Sequence, residues 1–150
     1  MPPVATLTPR THSLNDVRAI IPETCYDRSK LRATLALLQA ALLYVAPVVA
    51  LAFFDAWWLL IVLWPLAGLG VAGLFVLGHD ASHMALFDSR RTNRFVARWC
   101  MAPSMHAEAA WDLGHNRVHH GYTTRRGFDF VWHPVTPAEY RELPLRNRLR

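Results

Sequence analysis

Five of the eight histidines in this chain fall within two short stretches, GHDASHMALF at 78–87 and WDLGHNRVHHGYT at 111–123. His79 and His83 are four residues apart, as are His115 and His119, and His120 follows at once. On a helix, residues four apart share a face, with Cβ atoms about 5–6 Å from one another. Each such pair can therefore aim two imidazoles at one point. His120 is turned by about 100° from His119 in an α-helix, which suits it to an adjacent ion. Imidazole binds zinc, copper, iron and nickel alike, so ligand type alone does not choose the metal. Number does more, because a zinc site takes about three or four protein ligands. Five imidazoles arranged as two plus three favour two irons, whose redox chemistry can activate O₂. Asp80 and Asp112 are candidates to accept the remaining ring N–H of a ligand and so orient it. Asp112 could equally serve as a helix N-cap. His106 and His133 lie outside the boxes and read as surface residues; His12, in the lead segment, has no expected role.

Whatever positions these imidazoles begins with two apolar runs. Residues 33–54 and 56–78 carry no charge, and only Asp55 separates them. Each run has about the 20 residues that a helix needs to cross roughly 30 Å of hydrocarbon. The other residues are too polar and too often interrupted by proline to wrap two buried helices in a soluble domain. The first run fits a cleavable signal poorly, being long and lying behind 32 residues with no small-residue cleavage motif after it. The expected fold is all-α: an integral-membrane hairpin of two transmembrane helices, followed by cytoplasmic and interfacial helices that carry the histidine boxes. It divides into a cytoplasmic N-terminal segment (1–32), the two-span hairpin (33–78) and a histidine-box region (79–150).

The net charge is +5, yet Lys and Arg are absent from 33 to 89 and crowd both flanks. By the positive-inside rule both termini and both boxes then face the cytoplasm, making this a multi-pass membrane protein. Anionic headgroups of membrane lipids are the expected counter-ions. No basic patch interleaved with aromatics is present, so nucleic acid is not an expected partner. Cys25 and Cys100, on the same cytoplasmic side, read as packing residues rather than a disulfide.

Local signals fill in the rest. Ser13 with Asp16, Ser29, and Thr136 with Pro137 and Glu139 read as helix starts. Gly68 and Ala72, with Gly70 and Gly73 nearby, offer small-residue surface for close packing of the spans. Residues 88–103 suit a basic helix in the headgroup layer. A further helix is expected over 105–120, and a loop over 121–140, punctuated by Gly121, Gly127, Pro134 and Pro137.

Three segments together resemble the membrane fatty acid desaturases of the acyl-lipid, Δ12/ω3-like type: IIPETCYDRS at 20–29, GHDASH with LFDSRRTN at 78–93, and HNRVHHGYTTRRGFD with VTPAEYREL at 115–143. That resemblance implies O₂-dependent insertion of a double bond into a fatty acyl chain at a di-iron centre. By position, His79, His83, His115, His119 and His120 would be iron ligands. It also implies a fatty acyl lipid as substrate and an electron donor of ferredoxin or cytochrome b5-like kind. The family carries a third box of HxxHH type more than a hundred residues further on, which these 150 residues lack. The expectation is an N-terminal portion, inactive alone. A related histidine-box hydroxylase or ketolase, and a non-catalytic membrane metal binder, are the competing readings.

Overall fold

The computed structural model describes residues 13–123, 125, 127–129, 131 and 135–148, and among these every regular element is helical. Helix α1 (Leu14–Ala19) opens with a capping box, Ser13 Oγ accepting the Asp16 N–H while Asp16 accepts the Ser13 N–H. A 3₁₀ turn (Glu23–Tyr26) leads to α2 (Lys30–Phe53), where Ser29 Oγ accepts the Arg32 N–H as expected. Helix α3 (Trp57–Ser82) returns antiparallel to α2 and carries the first histidine box in its last turn.

Both long helices contain a proline, Pro47 and Pro65. Each is long and apolar enough to cross a membrane, and only 11% of its most apolar stretch is buried inside the protein. That figure separates the two obvious readings. The core helix of a soluble domain would be mostly buried, whereas Leu38, Leu42, Ile61 and Trp64 stand more than half exposed. Apolar surface of that extent is tolerated in lipid, not in water. Trp57 and Trp58 lie exposed where α3 begins, the depth amphipathic indoles favour.

The two helices meet through two of the four small residues expected to pack them, Gly70 and Gly73. A Cβ on Gly70 would sit 2.5 Å from the Tyr44 backbone, and one on Gly73 would touch Ala40 Cβ at 3.4 Å. Gly68 faces open space and Ala72 is exposed. Four-residue spacing identifies candidate faces, and only the position of the partner helix selects one. Farther along, Ala40, Leu74, Ala81, Val96, Ala97 and Cys100 form the core, shared by α2, α3 and α4 (Arg90–Met101). Gly78 lets α4 approach, since a Cβ there would lie 2.8 Å from Met101 Cγ. Cys100 is a packing residue as expected, while Cys25 is exposed and is not.

Helix α4 is capped by Ser89, presents Arg90, Arg91, Arg94 and Arg98 outward and buries Asn93 against the loop before it. A 3₁₀ turn (Ala102–Ser104) and a left-handed Met105 reverse the chain. Then follow α5 (Glu108–Trp111), a π-helix (Asp112–His119) and α6 (His120–Tyr122) as one continuous rod. Two short helices close the described part, α7 (Pro137–Glu142) with the expected Thr136–Glu139 capping box, and α8 (Leu145–Arg148). The start of α2 and the loop after α3 are clasped together: Lys30 Nζ lies 3.4 Å from Asp88, and Arg28 donates to the Phe87 carbonyl at 3.1 Å. The N-terminal flank and the first histidine box are thus at one end of the hairpin.

Candidate metal site

The first box sits where α3 ends. His79 is still helical, while His83 is the C-cap, with Met84 beyond it in the left-handed conformation. The second box rides on the π-helix. In an α-helix, residues five apart point about 140° away from each other. The π-helix bonds each N–H to a carbonyl five residues back, and here the His120 N–H reaches the His115 carbonyl. The wider turn sets His115 and His120 side by side.

Four imidazole nitrogens consequently converge. His79 Nε2 lies 3.1 Å from His115 Nε2 and 3.3 Å from His83 Nε2, and His115 Nε2 lies 3.1 Å from His120 Nε2. The ligand atoms of these four residues are all within 4.8 Å of one another. The pairing of His115 with His119 expected from four-residue spacing does not occur at this cluster. His119 stands beside it, its ring 5.0 Å from that of His115, with Nδ1 at 2.7 Å from Asp129 Oδ2. The expectation assumed 3.6 residues per turn, and the helix here is wider.

Supporting contacts fix the rings. Asp80 Oδ1 accepts from His79 Nδ1 at 3.0 Å, leaving the His79 Nε2 lone pair aimed at the cluster. Trp111 stacks on His115 at 4.3 Å. Asp112, the other expected orienting carboxylate, bonds to none of the described histidines; it accepts from Asn116 and Arg117. Those bonds hold its carboxyl below the usual range, Asn116 contributing most. Nor does Asp112 cap a helix through its side chain. It holds Asn116, which in turn donates to the Ser82 carbonyl and so pins the second box to the first.

The electrostatics favour neutral, ligating imidazoles. Burial first, then the neighbouring His120, His79, His119 and His83, push His115 down to about 4. Burial also lowers His83, helped by His79 and His120 and opposed by Asp80. Four lone-pair nitrogens approaching one another repel unless a cation lies between them. Imidazoles bound at about 2.0–2.1 Å around one ion are separated by distances close to those seen here. The donor set therefore fits a first-row transition metal.

Beside the cluster lies a cavity of about 510 Å³ with walls from Met105, Ala107, Ala110, Trp111 and His115. His106, expected at the surface, is exposed but packs on Phe75 at 4.9 Å and lines this cavity too. His12 and His133 lie outside the described residues. Asp129 was missed from sequence as a site residue. Its only signal was its place at the end of the stretch that follows the second box.

Two membrane-length helices that deliver converging imidazoles to one end define a membrane-associated protein with a histidine cluster able to hold a metal ion. The more particular identity comes from comparison. A fatty acid desaturase family model matches residues 55–150, and the chain belongs to that family. A probable fatty acid desaturase from Sorghum bicolor is 34% identical over 93% of this chain and 36% of its own length. An sn-1 oleoyl-lipid 12-desaturase from Picosynechococcus is 33% identical over 87% of this chain and 37% of its own. An sn-1 acyl-lipid omega-3 desaturase (ferredoxin) from a Nostoc strain is 25% identical over 91% and 38% respectively. The chain thus spans little more than a third of the length of the curated relatives it matches. No solved structure matches it.

Proposed function

We propose that these residues form the first two histidine boxes of a membrane desaturase that inserts a double bond into a fatty acyl chain of a lipid. The observation that carries this reading is the convergence of His79, His83, His115 and His120 at one end of a hairpin of two membrane-length helices. These four would hold one iron, and His119, turned aside on the same rod, would serve a second. When bound, a di-iron pair supplies the O₂ activation that removing hydrogen from an unactivated chain requires. The protein's own share is positioning. Asp80 holds the His79 tautomer, Trp111 fixes the plane of His115, and the Asp112–Asn116–Ser82 clip sets the distance between boxes. The apolar walls of Met105, Ala107 and Ala110 would bring an acyl chain alongside His115 and keep water from it. Electrons would come from a ferredoxin, as the name of the Nostoc relative suggests, or from a cytochrome b5-like donor.

The decisive experiment joins residues 1–150 to a C-terminal segment bearing an HxxHH box and analyses fatty acids by gas chromatography. New alkene that disappears with His120→Ala is the expected result. An alcohol product instead would identify a hydroxylase, and no product at all from a folded, iron-loaded protein would sink the enzymatic reading.

Orientation has its own expected outcome. The loop at 54–56, which has no Lys or Arg and lies between two basic flanks, supports an orientation with Asp55 outside and both flanks inside. A cysteine introduced at Ala56 should react with an impermeant maleimide from the outer face only. Reaction from the cytoplasmic face alone would invert the topology.

A further inference from the structure

We propose that Asp129 is a positioning residue: it locks His119 in the tautomer that leaves Nε2 free to bind metal. The inference rests on the metal reading above and extends it to a loop residue outside both boxes. Asp129 is 1% exposed, although its described neighbours Phe128, Val131 and Gly127 are exposed, and the φ of +82° at Gly127 suits glycine. Burying a carboxylate is costly unless its oxygens are engaged. One oxygen, Oδ1, accepts the Val131 N–H at 2.9 Å, and the other, Oδ2, faces His119 Nδ1 at 2.7 Å. An ionised carboxylate only accepts hydrogen bonds. The His119 proton must therefore sit on Nδ1, and in the neutral ring the Nε2 lone pair is exposed on the opposite side. The His119 ring lies 5.0 and 5.3 Å from those of His115 and His120, beside the four-nitrogen cluster. The first box uses the same device, Asp80 on His79 Nδ1. Each box thus carries one carboxylate-held imidazole, a pairing that orients metal-bound histidine generally.

Asp129→Asn is an informative change because the Val131 N–H keeps hold of the side-chain oxygen. The amide NH₂ then faces His119, which has to accept at Nδ1 and move its proton to Nε2, the atom that should ligate. Two readouts follow, both on the 150-residue chain in detergent micelles. In ¹⁵N-histidine spectra without metal, the His119 resonances, assigned by their loss in His119→Gln, should show Nδ1–H in the parent chain and Nε2–H in Asp129→Asn. In cobalt(II) titrations against a competing chelator, Asp129→Asn should weaken binding by about 10–100-fold, the usual cost of losing such a support. The loss should be no larger in the Asp129→Asn/His119→Gln double variant than in His119→Gln alone, and Asp129→Glu should recover part of it.

A parent chain in which His119 carries its proton on Nε2, or on both nitrogens, overturns the inference, and this measurement needs no variant to fold. So does an Asp129→Asn chain that binds cobalt as the parent does, or a double variant with additive losses. A parent chain that takes up no cobalt defeats the metal reading itself, and this inference with it.

Discussion

His115→Ala should all but empty the metal site, a larger loss than any other single imidazole change. His115 Nε2 is in contact with the Nε2 atoms of both His79 and His120, linking the first box to the second. Its ring also stacks on Trp111, which packs edge-on against Phe75 of α3. Truncation removes one ligand and at the same time the wall that orients two others. Affinity should fall by more than about 100-fold, beyond the 10–100-fold that one supporting hydrogen bond is worth. Elemental analysis of the purified chain, or a cobalt titration, measures it. Cys25→Ser, at an exposed position in the N-terminal 3₁₀ turn, serves as the matched control and should bind as the parent does. Equal occupancy in the two variants would remove His115 from the site.

Acid should release the metal abruptly and late. An ordinary imidazole set starts to lose metal to protons near pH 6.5. Here burial and the surrounding histidines hold His115 down to about 4 and lower His83 as well, with Asp80 alone pulling the other way. Proton competition at His115 and His83 is therefore displaced to lower pH, and their share of the binding should persist below pH 6.5 and be lost as pH falls toward 4. The same shift acts on folding. A histidine whose pKa is depressed in the native state binds fewer protons there than in the unfolded chain. The stability it contributes is present above about pH 6.5 and is lost as pH drops toward the native value. Melting curves of the metal-free chain should move to lower temperature over that window, and the shift should shrink in His115→Ala. A flat profile from pH 6.5 to 4 would mean that the cluster is more open to water than its geometry shows.

The hairpin, the capping residues and the two boxes were legible because each rests on short-range physics. An uncharged run of bilayer length, or a serine three residues before the N–H it caps, carries its own explanation. The helix containing the second box was legible in place but not in pitch. Reading His115 with His119 assumes 3.6 residues per turn, and nothing in DLGHNRVH announces a wider coil. The π-turn coincides with long-range contacts, Asn116 on Ser82 and Trp111 on Phe75, that no local window contains. Asp129 was illegible for a related reason. It lies ten positions after His119, beyond the end of α6, where sequence spacing carries no rotational information. Asp112 failed in the opposite sense: a carboxylate beside a histidine box is suggestive, and only the fold shows that it serves Asn116 and Arg117.

The π-helix also changes how such boxes are compared with one another. In an α-helix, the first and last histidines of an HxxHH segment are four residues apart and lie on one face. In the HxxxHH segment here they are five apart, and the wider turn restores their juxtaposition. The two spellings therefore encode one arrangement, with a single inserted residue absorbed by a change of backbone pitch. Aligning such segments column by column would match the wrong imidazoles. Counted from the outer histidines inward, the extra residue falls among 116–118 and the ligands stay in register.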